Sequence, residues 1–258
     1  MGFIYSFDIS KEIDSFKRMP EHIQSSAECN AVDVIYESFV VPGDQDYLMS
    51  RLMAQKGFPR GFFWAAAQAT EKYFKAFLIM NDVSVVKGFQ GHSIKTLFEA
   101  VNKIDSSFAD LSILPHQSIP VEPSVSHLLK RFTIQSFIDE LVKHGHPDNR
   151  YNTIGVDYNT GHLFAMDSLA FQVRGKIGAI PIYKSFEKFS PDLMVTFENH
   201  NPWFQTGTDH FTNNIPCDEF PIQYSSNVTK FEILTNNKNN PACNLALQWL
   251  RTKMKLPK

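Results

Sequence analysis

Cysteine is scarce: Cys29, Cys217 and Cys243 are the three in 258 residues, and none lies in a Cys-x-x-Cys spacing. That excludes a disulfide framework and gives no cysteine zinc motif, and it fits a reducing compartment. Net charge is nearly absent as well, at −2, which excludes the global basic field of a nonspecific nucleic-acid coat protein while leaving room for a local basic groove. Long apolar runs are missing, so no span of a bilayer is expected, and Asp8, Lys11, Glu12 and Asp14 stand where a secretory leader needs an uncharged apolar stretch. A soluble, cytoplasmic protein with no membrane association is the expectation. Internal repeats and low-complexity segments are absent too. The length suffices for a substantial core, in one domain with a large extension or in two small domains.

What is present is organised around Gly61 to Val101. Residues 62–80 contain no Gly or Pro and are rich in Ala, which predicts one long helix. Its polar residues Gln68, Glu71, Lys72 and Lys75 fall at offsets of zero, three, four and seven, a single stripe on an otherwise apolar cylinder. Such a helix is buried on most sides, as at the centre of a bundle. Ser93 then caps a second amphipathic helix carrying Ile94, Leu97, Phe98, Val101 and Ile104, packed antiparallel to the first.

Taken in order, residues 1–41 read as an N-terminal arm: a short helix capped by Ser10 and ended by Pro20, then a β-leaning stretch over 31–40. Pro42-Gly43 breaks the chain, and Asp44 to Gln55 forms a helix with Tyr47, Leu48, Leu52 and Met53 inward and Arg51 partly free. Residues 105–123 hold Pro115, Pro120 and Pro123 and read as an irregular connection. Ser124 to Lys143 has helical spacing, and Thr160-Gly161 opens a further helix with Leu163, Met166, Leu169, Ala170 and Val173 on its core face. Residues 181–258 form an aromatic, Asn-rich extension, too rich in Phe and Trp for a disordered tail, with a short strand at 230–234 and a final helix from Pro241 that docks Leu247, Leu250 and Met254.

The ordered set of Asp46-Tyr47-Leu48 with Arg51, Gln68-Ala69-Thr70-Glu71-Lys72 with Lys75-Ala76, Gly91-His92-Ser93 before a leucine-bearing helix, and Arg150-Tyr151 resembles the HEPN superfamily. These are small helical bundles linked to nucleotide and RNA biology. The resemblance covers about residues 44 to 178, within a bundle bounded at 42–180. It implies a mainly α protein, an antiparallel bundle of about five helices followed by a mixed, largely irregular extension. It further implies a homodimer, RNA or a nucleotide as ligand, no cofactor, and a small nucleotidyltransferase as partner protein.

The resemblance places Arg51, Lys72, Lys75, Arg150 and Tyr151 around a shared groove, with Arg150 gripping phosphate bidentately and Tyr151 stacking or orienting. Against this, the α-helical stripe reads equally as a solvated strip with a Glu71–Lys75 pair contributing about 0.3 kcal/mol, and Arg150 as a cap on helix carbonyls. His92 and His162 are the groups able to move a proton near neutral pH, although His92, just before a helix N-terminus, also reads as a capping residue. The family's ribonucleases carry an arginine, four to six residues, then a histidine. No arginine here does so: Arg18 and His22 are separated by three residues and Arg150 and His162 by eleven. His144, His146 and His162 with Asp148 or Asp157 make a weak metal set. Asn227-Val228-Thr229 matches a glycosylation sequon, which a cytoplasmic chain does not use.

The leading expectation is an RNA- or nucleotide-associated HEPN-like binding protein without the usual ribonuclease activity. The alternatives are a HEPN ribonuclease toxin of a defence or toxin–antitoxin system using a rearranged Arg/His pair, and a protein-interaction scaffold.

Overall fold

The computed structural model describes residues 4–86, 93–110, 112–113, 127, 130–146, 156–178, 190–198, 201 and 229–254. The protein is mainly α-helical, as its sequence patterning predicts. Among the described residues the α-helices are α1 (Glu21–Ile35), α2 (Val41–Gln55), α3 (Pro59–Met80), α4 (Ile94–Ile104), α5 (Ser107–Asp110), α6 (Ile134–His144), α7 (Thr160–Lys176), α8 (Pro191–Glu198), α9 (Lys230–Asn236) and α10 (Pro241–Lys253). Two strands among the described residues, β1 (Ser112–Ile113) and β2 (Phe132–Thr133), pair antiparallel over two residues each.

Helix α3 occupies the centre, as its composition requires, packing on α2, α4, α6 and α7. Phe62, Phe63, Ala66, Ala69, Tyr73, Phe74 and Ala76 are all fully buried along it. Ser93 caps α4 by accepting the Thr96 backbone N–H, and Leu97, Phe98 and Val101 face the core, whereas Ile104 at the C-terminal end is 40% exposed.

Several expectations are corrected. Asp8, not Ser10, caps the first short helix, Ile9–Lys11, its side chain accepting the Ser10 backbone N–H at 2.8 Å. The stretch 31–40 is helical, not β-leaning: Ala27, Ala31, Val34 and Ile35 recur at helical spacing, and α1 buries them in a core shared with α10. Tertiary burial outweighs the β preference of its valines. Nor do Pro42 and Gly43 break the chain. A π-helical turn over Tyr36–Val40, with the Val41 N–H bonded to the Tyr36 carbonyl, leads directly into α2. That wider turn adjusts the ladder just before the residue that lacks an N–H. Gly43 serves close approach instead, since a Cβ there would stand 2.9 Å from the Tyr73 ring. Finally, residues 230–234 belong to a helix, α9, begun by a reciprocal capping box between Thr229 and Glu232.

Helix α6 starts at Ile134, later than the expected Ser124, because Phe132 and Thr133 pair with β1 and Thr133 with Ser136 forms a capping box. Leu128 and Leu129 lie outside the described residues. Phe137, Ile138 and Leu141 are buried and Val142 is 39% exposed. Helix α7 opens at Thr160 with its expected core face inward. Helix α10 packs on α1, with Leu247, Leu250 and Met254 buried, and the Trp249 ring lies 4.2 Å from that of Phe7 in the leading segment.

Candidate functional site

On α3, the polar stripe stands as the spacing predicts, and each lysine meets a carboxylate. Lys75 donates to Glu71 at 2.5 Å, one turn away, while Lys72 pairs with Asp46 of α2. The side chains of Lys72 and Lys75 retain 29% and 19% of their exposure. Partial burial pushes the Asp46 carboxyl above its ordinary pKa, and the neighbouring Lys72 draws it back.

Arg51, expected to be partly free, is fully buried. It pairs with Asp167 of α7, whose other oxygen accepts the Tyr47 hydroxyl at 2.6 Å. A second pair repeats the arrangement: Arg174 of α7 meets Asp44 of α2, and Asp44 accepts the Tyr73 hydroxyl at 2.6 Å. All six side chains are fully buried. Asp44 and Arg51 are seven residues apart on α2, as are Asp167 and Arg174 on α7, so each helix carries its charges on one face two turns apart. Burial pushes Tyr47 and Tyr73 far above the ordinary phenol range, with the adjacent carboxylates adding to it. The signal for this network lay in the equal Asp-x6-Arg spacings, which sequence reasoning passed over.

His162 is likewise fully buried. Its Nδ1 lies 2.9 Å from the backbone N and 3.0 Å from the carbonyl oxygen of Asn159, closing the capping box of α7. Rings of Phe63, Phe132 and Tyr158 surround it at centroid distances of 5.1, 4.5 and 5.8 Å. His144, at the end of α6 and 4% exposed, leans on the Phe63 ring at 4.9 Å. Glu140 stands between the two imidazoles, its Oε2 lying 3.2 Å from Nε2 of His144 and 3.8 Å from that of His162. Burial lowers the pKa of both histidines and Glu140 opposes it. Tyr158, beside them, is pushed up to about 12, chiefly by burial.

The structure therefore separates the predicted residues. Lys72 and Lys75 share one partly exposed face of α3, while Arg51 and His162 are enclosed in different polar clusters. His92, Arg150 and Tyr151 lie outside the described residues. Among the described residues no group of three His, Cys, Asp or Glu side chains could hold a metal ion, and no helix is long and apolar enough to cross a membrane.

No family model, curated protein or solved structure matches the chain. Its functional reading accordingly rests on its own residues.

Proposed function

We propose that this chain is a HEPN-like helical-bundle protein that binds RNA or a nucleotide through the cationic stripe of α3, without the usual HEPN ribonuclease reaction, and that it acts as a homodimer. The observation that carries this reading is the contrast in access. His162 and Arg51 are shielded from water and hold structural partners, whereas Lys72 and Lys75 still reach it. A general base must come within hydrogen-bond reach of the hydroxyl it deprotonates, and a ring enclosed by Phe63, Phe132 and Tyr158 is poorly placed for that. This favours binding over a toxin with a rearranged Arg/His pair.

Lys72, whose pair with Asp46 is partly exposed, can exchange partners cheaply. A partly exposed Lys–carboxylate pair contributes about 0.2 to 1 kcal/mol, which charge-assisted bonds to phosphate offset. Arg150 and Tyr151, and a small nucleotidyltransferase as partner protein, complete the proposal.

Fluorescence anisotropy with labelled single-stranded RNA, followed across salt concentration, tests it. Replacing Lys72 and Lys75 by Ala should shrink the logarithmic salt slope by about 1.4, at about 0.7 per single-strand phosphate contact. Sedimentation should show a dimer at micromolar protein. Absence of any RNA or nucleotide binding by the wild-type chain would hand the case to the scaffold reading. RNA cleavage abolished by His162→Ala would establish the toxin.

A further inference from the structure

Arg51 lies against a short element, α8, as well as against Asp167 of α7. Helix α8 packs on α2 with Met194 and Phe197 buried beneath it, and the Phe197 ring meets that of Tyr47 edge-on at 6.1 Å. The Thr196 carbonyl, in the last turn of α8, receives two donors from α2: Arg51 Nε at 3.1 Å and Gln55 Nε2 at 3.0 Å. Asn201, just beyond the helix, adds a bond from its Nδ2 to the Tyr47 hydroxyl at 2.9 Å.

The chemistry of that contact is anion recognition. The last carbonyls of a helix have no intrahelical donor and carry the negative end of its dipole, so the C-terminal end of α8 presents a partially negative oxygen. Arg51 and Gln55 converge on it from successive turns of α2. Asp167 holds the guanidinium through its NH1 and fixes its orientation, so Nε is aimed before anything binds. Gln55 is an exposed residue, while Arg51 beside it is fully buried. A phosphate oxygen, bearing formal charge, is a stronger acceptor for the same two donors than a peptide carbonyl.

We infer that Arg51 and Gln55 form an oxyanion-binding fork for a phosphate-bearing ligand, and that α8 occupies it as an internal cover. The inference rests on the RNA- or nucleotide-binding reading for its choice of phosphate, and it adds a second contact point that is masked while α8 is seated. Displacing α8 unmasks it, and the apparent affinity rises as the open fraction rises.

The test uses inorganic pyrophosphate as the probe, read by titration calorimetry on the full chain. Met194→Ala with Phe197→Ala removes the apolar anchors of α8, and amide hydrogen exchange over residues 191–198 reports whether the helix has lifted. With α8 lifted, pyrophosphate should bind about tenfold or more tightly than to the wild type. Adding Gln55→Ala, an exposed helical position that leaves the Arg51–Asp167 pair in place, should abolish the gain. Fast exchange over 191–198 with no change in pyrophosphate affinity would overturn the inference, as would a gain that survives Gln55→Ala. Should exchange stay slow, Val195→Pro breaks α8 from its exposed side, and the same outcomes decide. The RNA anisotropy of the α3 lysine variants is a separate readout, so failure of the α3 reading and failure of the covered fork are distinguishable.

Discussion

Arg51 and Asp167 meet as an ion pair with both side chains fully shielded from water, joining α2 to α7 at the heart of the bundle. Arg174 and Asp44 form the matching pair in reversed order along the same two helices, so α2 and α7 run antiparallel and are fixed in register by charge. A one-turn slip would leave four buried charges without partners. Removing one partner strands the other, whereas replacing both by apolar groups of similar volume removes the problem. Asp167→Ala is therefore expected to destabilise the protein by about 3 to 5 kcal/mol, and adding Arg51→Met to Asp167→Ala should recover much of that loss. Urea unfolding of the single and double variants measures it; a double variant no better than the single would mean that Arg51 carries no stranded charge.

The imidazoles of His144 and His162 provide a pH response. Their folded-state pKa values lie below the ordinary 6.5, mainly through burial. Below that value the unfolded chain takes up protons that the folded chain refuses. Their contribution to stability is thus full above the ordinary value and is lost as pH falls through the folded pKa values. Around them stand Glu140 and Lys143 on α6, Lys130 and Asp157 before α7, and the rings of Phe63, Phe132 and Tyr158. Replacing both histidines by Gln, which keeps the capping box at 162, should flatten the fall in melting temperature between about pH 7 and pH 5 relative to the wild type. Parallel curves for the two proteins would assign acid sensitivity to other groups.

Ala69 is fully buried on α3, where the helix has neighbours on several sides. Ala69→Leu should overpack the core and cost about 1 to 3 kcal/mol in chemical denaturation. An unchanged midpoint would require a space beside Ala69 that its burial argues against.

Gly43 offers a test in which two effects oppose each other. Alanine is favoured over glycine inside a helix by about 1 kcal/mol, yet the added Cβ would press within 2.9 Å of Tyr73 Cε1. The Tyr73 ring is held by its bond to Asp44 and cannot swing away without breaking it. Gly43→Ala should therefore be destabilising, and Gly43→Ala with Tyr73→Leu less so than the sum of the two single changes. Thermal unfolding of the cycle decides; a stabilising Gly43→Ala would show that the ring gives way.

The sequence by itself determined that the protein is helical, which helix lies at its centre and how α4, α7 and α10 begin. These follow from local rules: an Ala-rich apolar cylinder must be buried, Ser93 can satisfy a free N–H, and Pro241 suits a first turn. Tertiary structure decided the rest. Valines at 32 and 34 fit a strand or a helix until α10 supplies the surface against which α1 is buried. Pro42-Gly43 signals a break until the π-helical turn before it and the Tyr73 ring beside it are known. Arg51 reads as a free cation from its own helix, because nothing local reveals Asp167, 116 residues away, or the α8 carbonyl that covers it. A charge on one helix is exposed or enclosed according to what another helix brings against it, and spacing along a chain carries no measure of that distance.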